Sequence, residues 1–239
     1  MQYLTLLYDD PTTITGPGDP EFDADMEGFD RFGELTADDR LGGEALEGLT
    51  EAVSIRPGPE SPLVTDGPFA ESTEVLGGFF VLEADDLDAA VELARQIPTA
   101  RTGGIEVRPM VEWNAAADPA AGADSPRWLC TIHGPESDED DPGTPGWAAS
   151  ADRHGAFAAS AGGAIVASGA VHPTSTATTL RERDGRLVVG DGPFAETTEI
   201  VGGFYVLAGT RDEVVAVAAG VPVHPDGGVE LRPIIDLDG

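Results

Sequence analysis

Residues 66–79 read DGPFAESTEVLGGF, and residues 191–204 read DGPFAETTEIVGGF. Eleven of the fourteen positions are identical and the other three exchange like for like, at an offset of 125. A chain that carries so specific a phrase twice is a duplication, and both halves must fold alike. The correspondence extends far beyond the phrase. Tyr3-Leu4 falls on Trp128-Leu129, Phe22 on Trp147, Phe32 on Phe157, Ala52 on Ala177, Ile55 on Leu180 and Arg56 on Arg181. This register holds from about residue 3 to residue 82. One residue is then lost, and Glu106-Val107-Arg108-Pro109 matches Glu230-Leu231-Arg232-Pro233 at an offset of 124.

The 239 residues therefore divide into a first unit over 1–113, a linker over 114–126 and a second unit over 127–239. The linker, NAAADPAAGADSP, has the Ala, Gly, Pro and Asp content of an extended, exposed tether. Each unit is long enough to bury a core of its own.

Within each unit, residues 2–8 and 127–133 read as strands. A loop of about a dozen residues follows, a length that suits a lid or a mobile segment. Helices come next, marked by the stripe Phe22, Met26, Phe29, Phe32 and, in the second copy, Trp147, Ala151, His154, Phe157. Strands are expected near 40–46 and 51–56, with counterparts near 165–171 and 176–181. The continuous apolar runs VLGGFFVL and IVGGFYVL predict central strands. A second helix is capped by Asp85 in one copy and by Thr210 with Glu213 in the other, and a final strand ends each unit. The order β-α-β-β-(β)-α-β is a split βαβ arrangement: α+β, an antiparallel sheet with helices on one face. The other face of such a sheet needs covering. Two tandem ferredoxin-like units packed as an intramolecular pseudo-dimer would supply the cover without a concentration penalty.

Charge narrows the function classes. There are 44 acidic residues against 13 basic ones, all arginine, for a net charge of −31. Such a chain repels phosphate backbones and anionic bilayers, so nucleic acid and membrane are not expected partners. A hydrated acidic surface fits a salty cytoplasm or an acidic proteome. No apolar run reaches the ~18 residues of a membrane span, and residues 2–8 lack the basic start and cleavage site of a secretory signal. Cys130, the single cysteine, sits in the apolar run WLCTI, so no internal disulfide forms and a reducing, cytoplasmic setting is expected. No zinc, phosphate-loop or nucleophile-elbow motif appears, and no cofactor is expected.

The phrase itself is a turn followed by a strand. Gly supplies positive φ after Asp, Pro ends any ladder pairing, and Phe anchors the turn. A Gly-Gly pair inside an apolar strand costs stability, so something should lie close over it: a helix, a neighbouring backbone or a ligand. With the trailing helix and E-V-R-P, the pattern DGPFAE-x-T-E-x-x-GGF resembles the YCII-related family in its DGPF subgroup, over nearly all of both halves. The resemblance implies a ferredoxin-like unit that dimerises into an α/β barrel. It implies two functional classes as well. One is a His–Asp active site on a small molecule, with acid–base chemistry of isomerase, lyase or dehalogenase type, since a related member is a dehydrochlorinase of a ring substrate. The other is a non-catalytic module tied to extracytoplasmic-function sigma factors.

All four histidines lie in the second half, so only that half has material for such a pair. His154 aligns with Phe29 and faces the sheet, either as a core replacement for an aromatic or as a proton carrier. His133 aligns with Tyr8, and both have polar tips that suit a pocket. His172 aligns with Glu47, and His224 sits in an exposed loop. Asp191 is the expected orienter of the imidazole, and Asp66 its counterpart in a structural half; each is also a ready turn-former. Gly77, Gly78, Gly202, Gly203 and Glu196 complete the expected pocket lining, with Glu71, Glu74 and Glu199 as further acidic residues of the turn. Arg108 and Arg232, each before Pro, are read as ion-pair partners of the acidic turns or as anchors for an anionic substrate. The partners left open are a small-molecule ligand and further copies of the chain.

Overall fold

The computed structural model describes residues 1–10, 19–69, 74–115, 125–137, 141–194 and 200–235. The first repeat forms β1 (Gln2–Asp9), α1 (Pro20–Leu35), β2 (Arg40–Ala45), β3 (Val53–Arg56), β4 (Leu63–Asp66), β5 (Val75–Glu83), α2 (Leu87–Ala94), α3 (Thr99–Thr102) and β6 (Gly104–Ala115). The second forms β7 (Arg127–Gly134), α4 (Pro145–Ala161), β8 (Ile165–Val171), β9 (Thr178–Arg183), β10 (Arg186–Asp191), β11 (Ile200–Ala208), α5 (Arg211–Ala218) and β12 (Gly228–Pro233). The fold is α+β, and every ladder named below is antiparallel. Among the described residues no helix is long and apolar enough to cross a membrane.

The helix starts follow their side chains. Asp19 accepts the N–H of Glu21 at 2.8 Å ahead of Pro20. Thr144 accepts the N–H of Trp147 at 3.1 Å ahead of Pro145. Proline suits the first helical position because its missing donor would be unpaired there anyway. Glu213 reaches back to the N–H and hydroxyl of Thr210 at 2.8 and 2.7 Å, the expected capping box. In α2 the cap is Asp86, which accepts the N–H of Ala89 at 2.9 Å, one residue later than the sequence reading places it. Three elements escaped that reading: β4, β10 and the short α3. The strand β6 continues to Ala115, into the first two positions of the expected linker, whose remaining residues lie largely outside the described ones.

The chain divides into two compact units, and these do not coincide with the two repeats. Unit 1 comprises Met1–Ala45, Ser72–Met110 and Thr174–Glu196; unit 2 comprises Leu46–Glu71, Val111–Pro173 and Thr197–Gly239. The hairpin β3–β4 of the first repeat thus belongs to unit 2, and the hairpin β9–β10 of the second repeat to unit 1. In unit 1 the sheet order is β2-β5-β1-β6-β9-β10. In unit 2 it is β8-β11-β7-β12-β3-β4. Each order places the same elements at the same positions, with the hairpin supplied by the other repeat.

The exchange carries core residues with it. In unit 1, Leu180 from the incoming hairpin is fully buried among Tyr3, Phe32, Leu82, Ile97 and Ile105. In unit 2, Val53 and Ile55 are buried among Trp128, Phe157, Leu207 and Leu231. Burying each such side chain is worth roughly 1.5–3 kcal/mol, so neither core is complete without the segment from the other repeat. The outer strands β4 and β10 are exposed at every position.

Neighbouring backbone explains the second glycine of each pair, and a bulge takes up the first. Leu7 pairs with Gly78 and Tyr8 with Leu76, so Gly77 is the extra residue of a bulge; Gly202 is bulged in the same way between the pairs Ile132–Gly203 and His133–Val201. A Cβ on Gly78 would stand 2.8 Å from the carbonyl oxygen of Glu44, and one on Gly203 would stand 2.8 Å from that of Gly169. A side chain at either position would push the adjacent strand away.

Candidate functional site

The DGPF turn follows each hairpin and docks it. Gly67 and Gly192 have φ of 107° and 100°, a region that favours glycine. Their N–H groups donate to the carbonyls of Ala52 and Ala177 at 2.8 Å. The hydroxyls of Ser54 and Thr179 donate to the carbonyls of Gly67 and Gly192, again at 2.8 Å. The Phe that follows meets the E-V-R-P strand of the other repeat. Phe194 donates its N–H to Glu106 Oε2 at 2.9 Å in unit 1, and Phe69 donates to Glu230 Oε2 at 2.8 Å in unit 2. Guanidinium groups lie over both rings, Arg181 at 3.8 Å from the Phe194 centroid and Arg56 at 3.6 Å from that of Phe69.

Those glutamates are buried with their arginines. Glu106 and Arg108 are 2% and 3% exposed, and Arg108 Nε donates to Glu106 Oε1 at 3.0 Å. Glu230 Oε1 lies 3.7 Å from Arg232 Nη1, while Arg232 Nε donates to the carbonyl of Glu47 at 3.1 Å. Each arginine is paired with the glutamate two residues before it on the same strand, where the sequence reading had looked to the acidic turns. In both units the carboxylate serves its arginine with one oxygen and the incoming turn with the other.

The two units differ at the polar tips, and only the second carries imidazoles. His133, half-buried on β7, has Nε2 at 2.8 Å from the hydroxyl oxygen of Thr131. Its ring stacks on Phe69, centroids 4.8 Å apart and planes at 18°. Burial, and then the nearby Arg56 charge, push its pKa down to about 4. The matching place in unit 1 holds Tyr8, stacked on Phe194 at 4.7 Å and 3°.

His154, half-buried on α4, has Nδ1 at 2.8 Å from the hydroxyl oxygen of Tyr205 on β11. Phe157 packs edge-on against the same tyrosine, centroids 5.2 Å apart. Burial lowers the His154 pKa, with Arg153 acting in the same direction. Burial raises that of Tyr205 to about 12, with Cys130 and Glu112 adding to the rise. At neutral pH the couple is an uncharged imidazole and a protonated phenol. Cys130 pairs with Tyr205 across the ladder and is fully buried, its thiol pushed up to about 12 by burial, so it is no thiolate nucleophile.

Asp191, expected to orient the imidazole, is exposed at the end of β10 in unit 1. Asp66, exposed at the end of β4, pairs with Arg211 in unit 2. His224 is close to half exposed, and its Nδ1 accepts the N–H of Asp226 at 3.1 Å. Gly77 and Gly202 are the bulge residues described above. Glu71, Glu196 and Glu199 lie outside the described residues, whereas Glu74 pairs with Arg181 at 3.3 Å. No group of three or more His, Cys, Asp or Glu side chains suited to a metal ion occurs among the described residues.

Sequence reasoning missed Tyr205, Thr131 and the two glutamates. A signal for the first two was present. At the 125-residue offset Phe29 and Phe80 correspond to His154 and Tyr205, and Leu6 and Tyr8 to Thr131 and His133. These two imidazoles of the second half each came with a hydroxyl that now stands within hydrogen-bond distance.

The architecture defines a duplicated α+β protein with antiparallel sheets. A family model described as the YCII-related domain matches residues 1–114 and again residues 127–238. The chain belongs to that family, as two tandem copies. It is also similar to an uncharacterized protein of Rhizobium meliloti (strain 1021), with 41% identity over 63 residues. That segment is 26% of this chain and 51% of the relative, so the match spans about half of the relative's length.

Proposed function

We propose that the second unit binds a small molecule and carries out acid–base chemistry of isomerase, lyase or dehalogenase type, with His154 as the proton carrier. The observation behind this reading is the 2.8 Å contact between His154 Nδ1 and the Tyr205 hydroxyl, in a chain whose first half has phenylalanine at both positions. The orienting part assigned by sequence to Asp191 passes to Tyr205. In the tautomer that donates from Nδ1 to the phenol oxygen, Nε2 keeps its lone pair and accepts a proton from substrate. The lowered pKa of His154 keeps this nitrogen unprotonated at neutral pH. His133 is the second candidate in the same unit, held by Thr131.

The same reading takes the duplication as an intramolecular pseudo-dimer of the dimeric α/β-barrel type, supported by the hairpins that the repeats exchange. Imidazole NMR on the full chain tests the site. Carbon acids and halogenated ring compounds are titrated in, and the His154 ring signals should move in wild type while the same compounds fail to bind His154→Phe. Compounds that bind both proteins equally, leaving the His154 signals in place, would remove His154 from the site.

A further inference from the structure

The exchange of hairpins implies an interaction surface with a defined partner. We propose that the receiving edge of each unit accepts a DGPF hairpin from a second copy of this chain, so that the chain forms dimers joined by reciprocal hairpin exchange.

The argument is one of matched parts. Each receiver is a strand edge of three residues: Ile105–Val107 pairs with Thr178–Leu180, and Val229–Leu231 pairs with Val53–Ile55. Each offers a buried glutamate to the N–H of the incoming Phe. A glycine leaves room for that ring: a Cβ on Gly104 would stand 1.8 Å from Phe194 Cε2, and one on Gly228 would stand 2.5 Å from Phe69 Cε2. A ring on the neighbouring strand, Tyr8 or His133, stacks on the Phe. The hairpins are matched as well, since each brings its own arginine over its own Phe. Every element of one receiver has its counterpart in the other at an offset of 124 or 125, and the hairpins correspond at 125.

The receivers therefore recognise a sequence that each chain carries twice, and none of the contacts records which chain the hairpin came from. Exchange between copies makes the same bonds as exchange within one chain. Only chain connectivity separates the two, through the effective concentration of a tethered hairpin, on the order of millimolar. The native chain closes on itself when dilute. Refolding near that concentration lets a neighbour's hairpin compete.

The test unfolds and refolds the full-length chain as a mixture of isotopically light and heavy protein, from about 10 μM to about 1 mM, followed by size exclusion and native mass spectrometry. The expected result is a dimer that rises from a few per cent to roughly half, with the mixed species near its statistical share. Hydrogen exchange should show residues 53–56 and 178–180 as protected in the dimer as in the monomer, because the same ladders form. Monomer alone at the highest concentration overturns the proposal. So does a dimer in which those residues have lost protection, or one that still forms when Phe69→Asp and Phe194→Asp together keep both hairpins from docking. Should that variant not refold, Glu106→Gln with Glu230→Gln serves instead: it weakens docking within a chain and between chains alike, so protection of residues 53–56 and 178–180 should fall equally in monomer and dimer, and a dimer that keeps its protection while the monomer loses it counts against the proposal.

Discussion

Glu106 accepts the main-chain N–H of Phe194 at 2.9 Å across 88 residues of chain, and its second oxygen accepts from Arg108. One buried carboxylate thus completes an ion pair and fastens the hairpin of the other repeat. Removing it takes the carboxylate from a guanidinium that is 3% exposed. Glu106→Ala is expected to cost about 3–5 kcal/mol, the usual penalty for one partner of a buried pair, while Glu106→Gln retains an acceptor for the Phe194 N–H and costs less. Urea denaturation of both variants checks the order; equal costs would contradict the two-part role.

The glycine beneath each docking ring gives the second prediction. A methyl group on Gly104 overlaps three atoms of the Phe194 ring, the nearest at 1.8 Å. Gly104→Ala should destabilise by about 1–3 kcal/mol, the range for overpacking a filled site. Adding Phe194→Leu should recover part of the loss, so the double variant is less destabilised than the sum of the singles. Thermal unfolding measures this coupling, and strict additivity would show that ring and glycine do not meet.

A third prediction concerns acid. His133 has a pKa of about 4 when folded, against 6.5 for the free side chain. The unfolded chain therefore takes up this proton first. Stability is intact above about pH 6.5, falls as the pH drops toward 4, and loses nothing further from this group below that. The loss amounts to about 3 kcal/mol. His133→Tyr, which installs the residue found in unit 1, should flatten that limb relative to wild type. Unfolding curves between pH 7 and 4 that stay parallel for the two proteins would exclude His133 as a source of acid sensitivity.

The fourth prediction treats His154 and Tyr205 as a unit. His154→Phe leaves a buried hydroxyl without its partner, and Tyr205→Phe leaves Nδ1 without one; each should cost about 1–3 kcal/mol. The double variant restores the pair of phenylalanines seen in the first half and should be less damaging than the sum of the singles. A double-mutant cycle by chemical denaturation gives the coupling, expected near 1 kcal/mol. If the proposed chemistry is correct, the double variant keeps its fold and loses the ligand response.

Much of this was legible beforehand for physical reasons. Burial on both faces wrote Tyr3 to Leu7 as an apolar run, so β1 was readable; the same held for β5, β7 and β11. Caps such as Thr210 with Glu213 are local, and so is the positive φ of Gly67 and Gly192. β4 was missed because Leu63, Val64, Thr65 and Asp66 are all exposed and leave no alternation to read. Asp86 took the cap from Asp85 because either aspartate satisfies the local pattern, and backbone geometry chooses. His154 was found through its helical stripe, whereas its partner Tyr205 lay hidden in a strand that reads as wholly apolar.

What the sequence determined by itself is the duplication, the order of the longer helices and central strands in each copy, the turn at each DGPF and the restriction of histidine to one half. These rest on contacts within a few residues, or on a repeat that can be slid along itself. Which strand receives which hairpin was decided only in three dimensions. Ile105–Val107 and Val229–Leu231 offer nearly the same edge, Val53–Ile55 and Thr178–Leu180 nearly the same hairpin strand. Identical local chemistry cannot choose between them, so the choice falls to the path of the connecting chain.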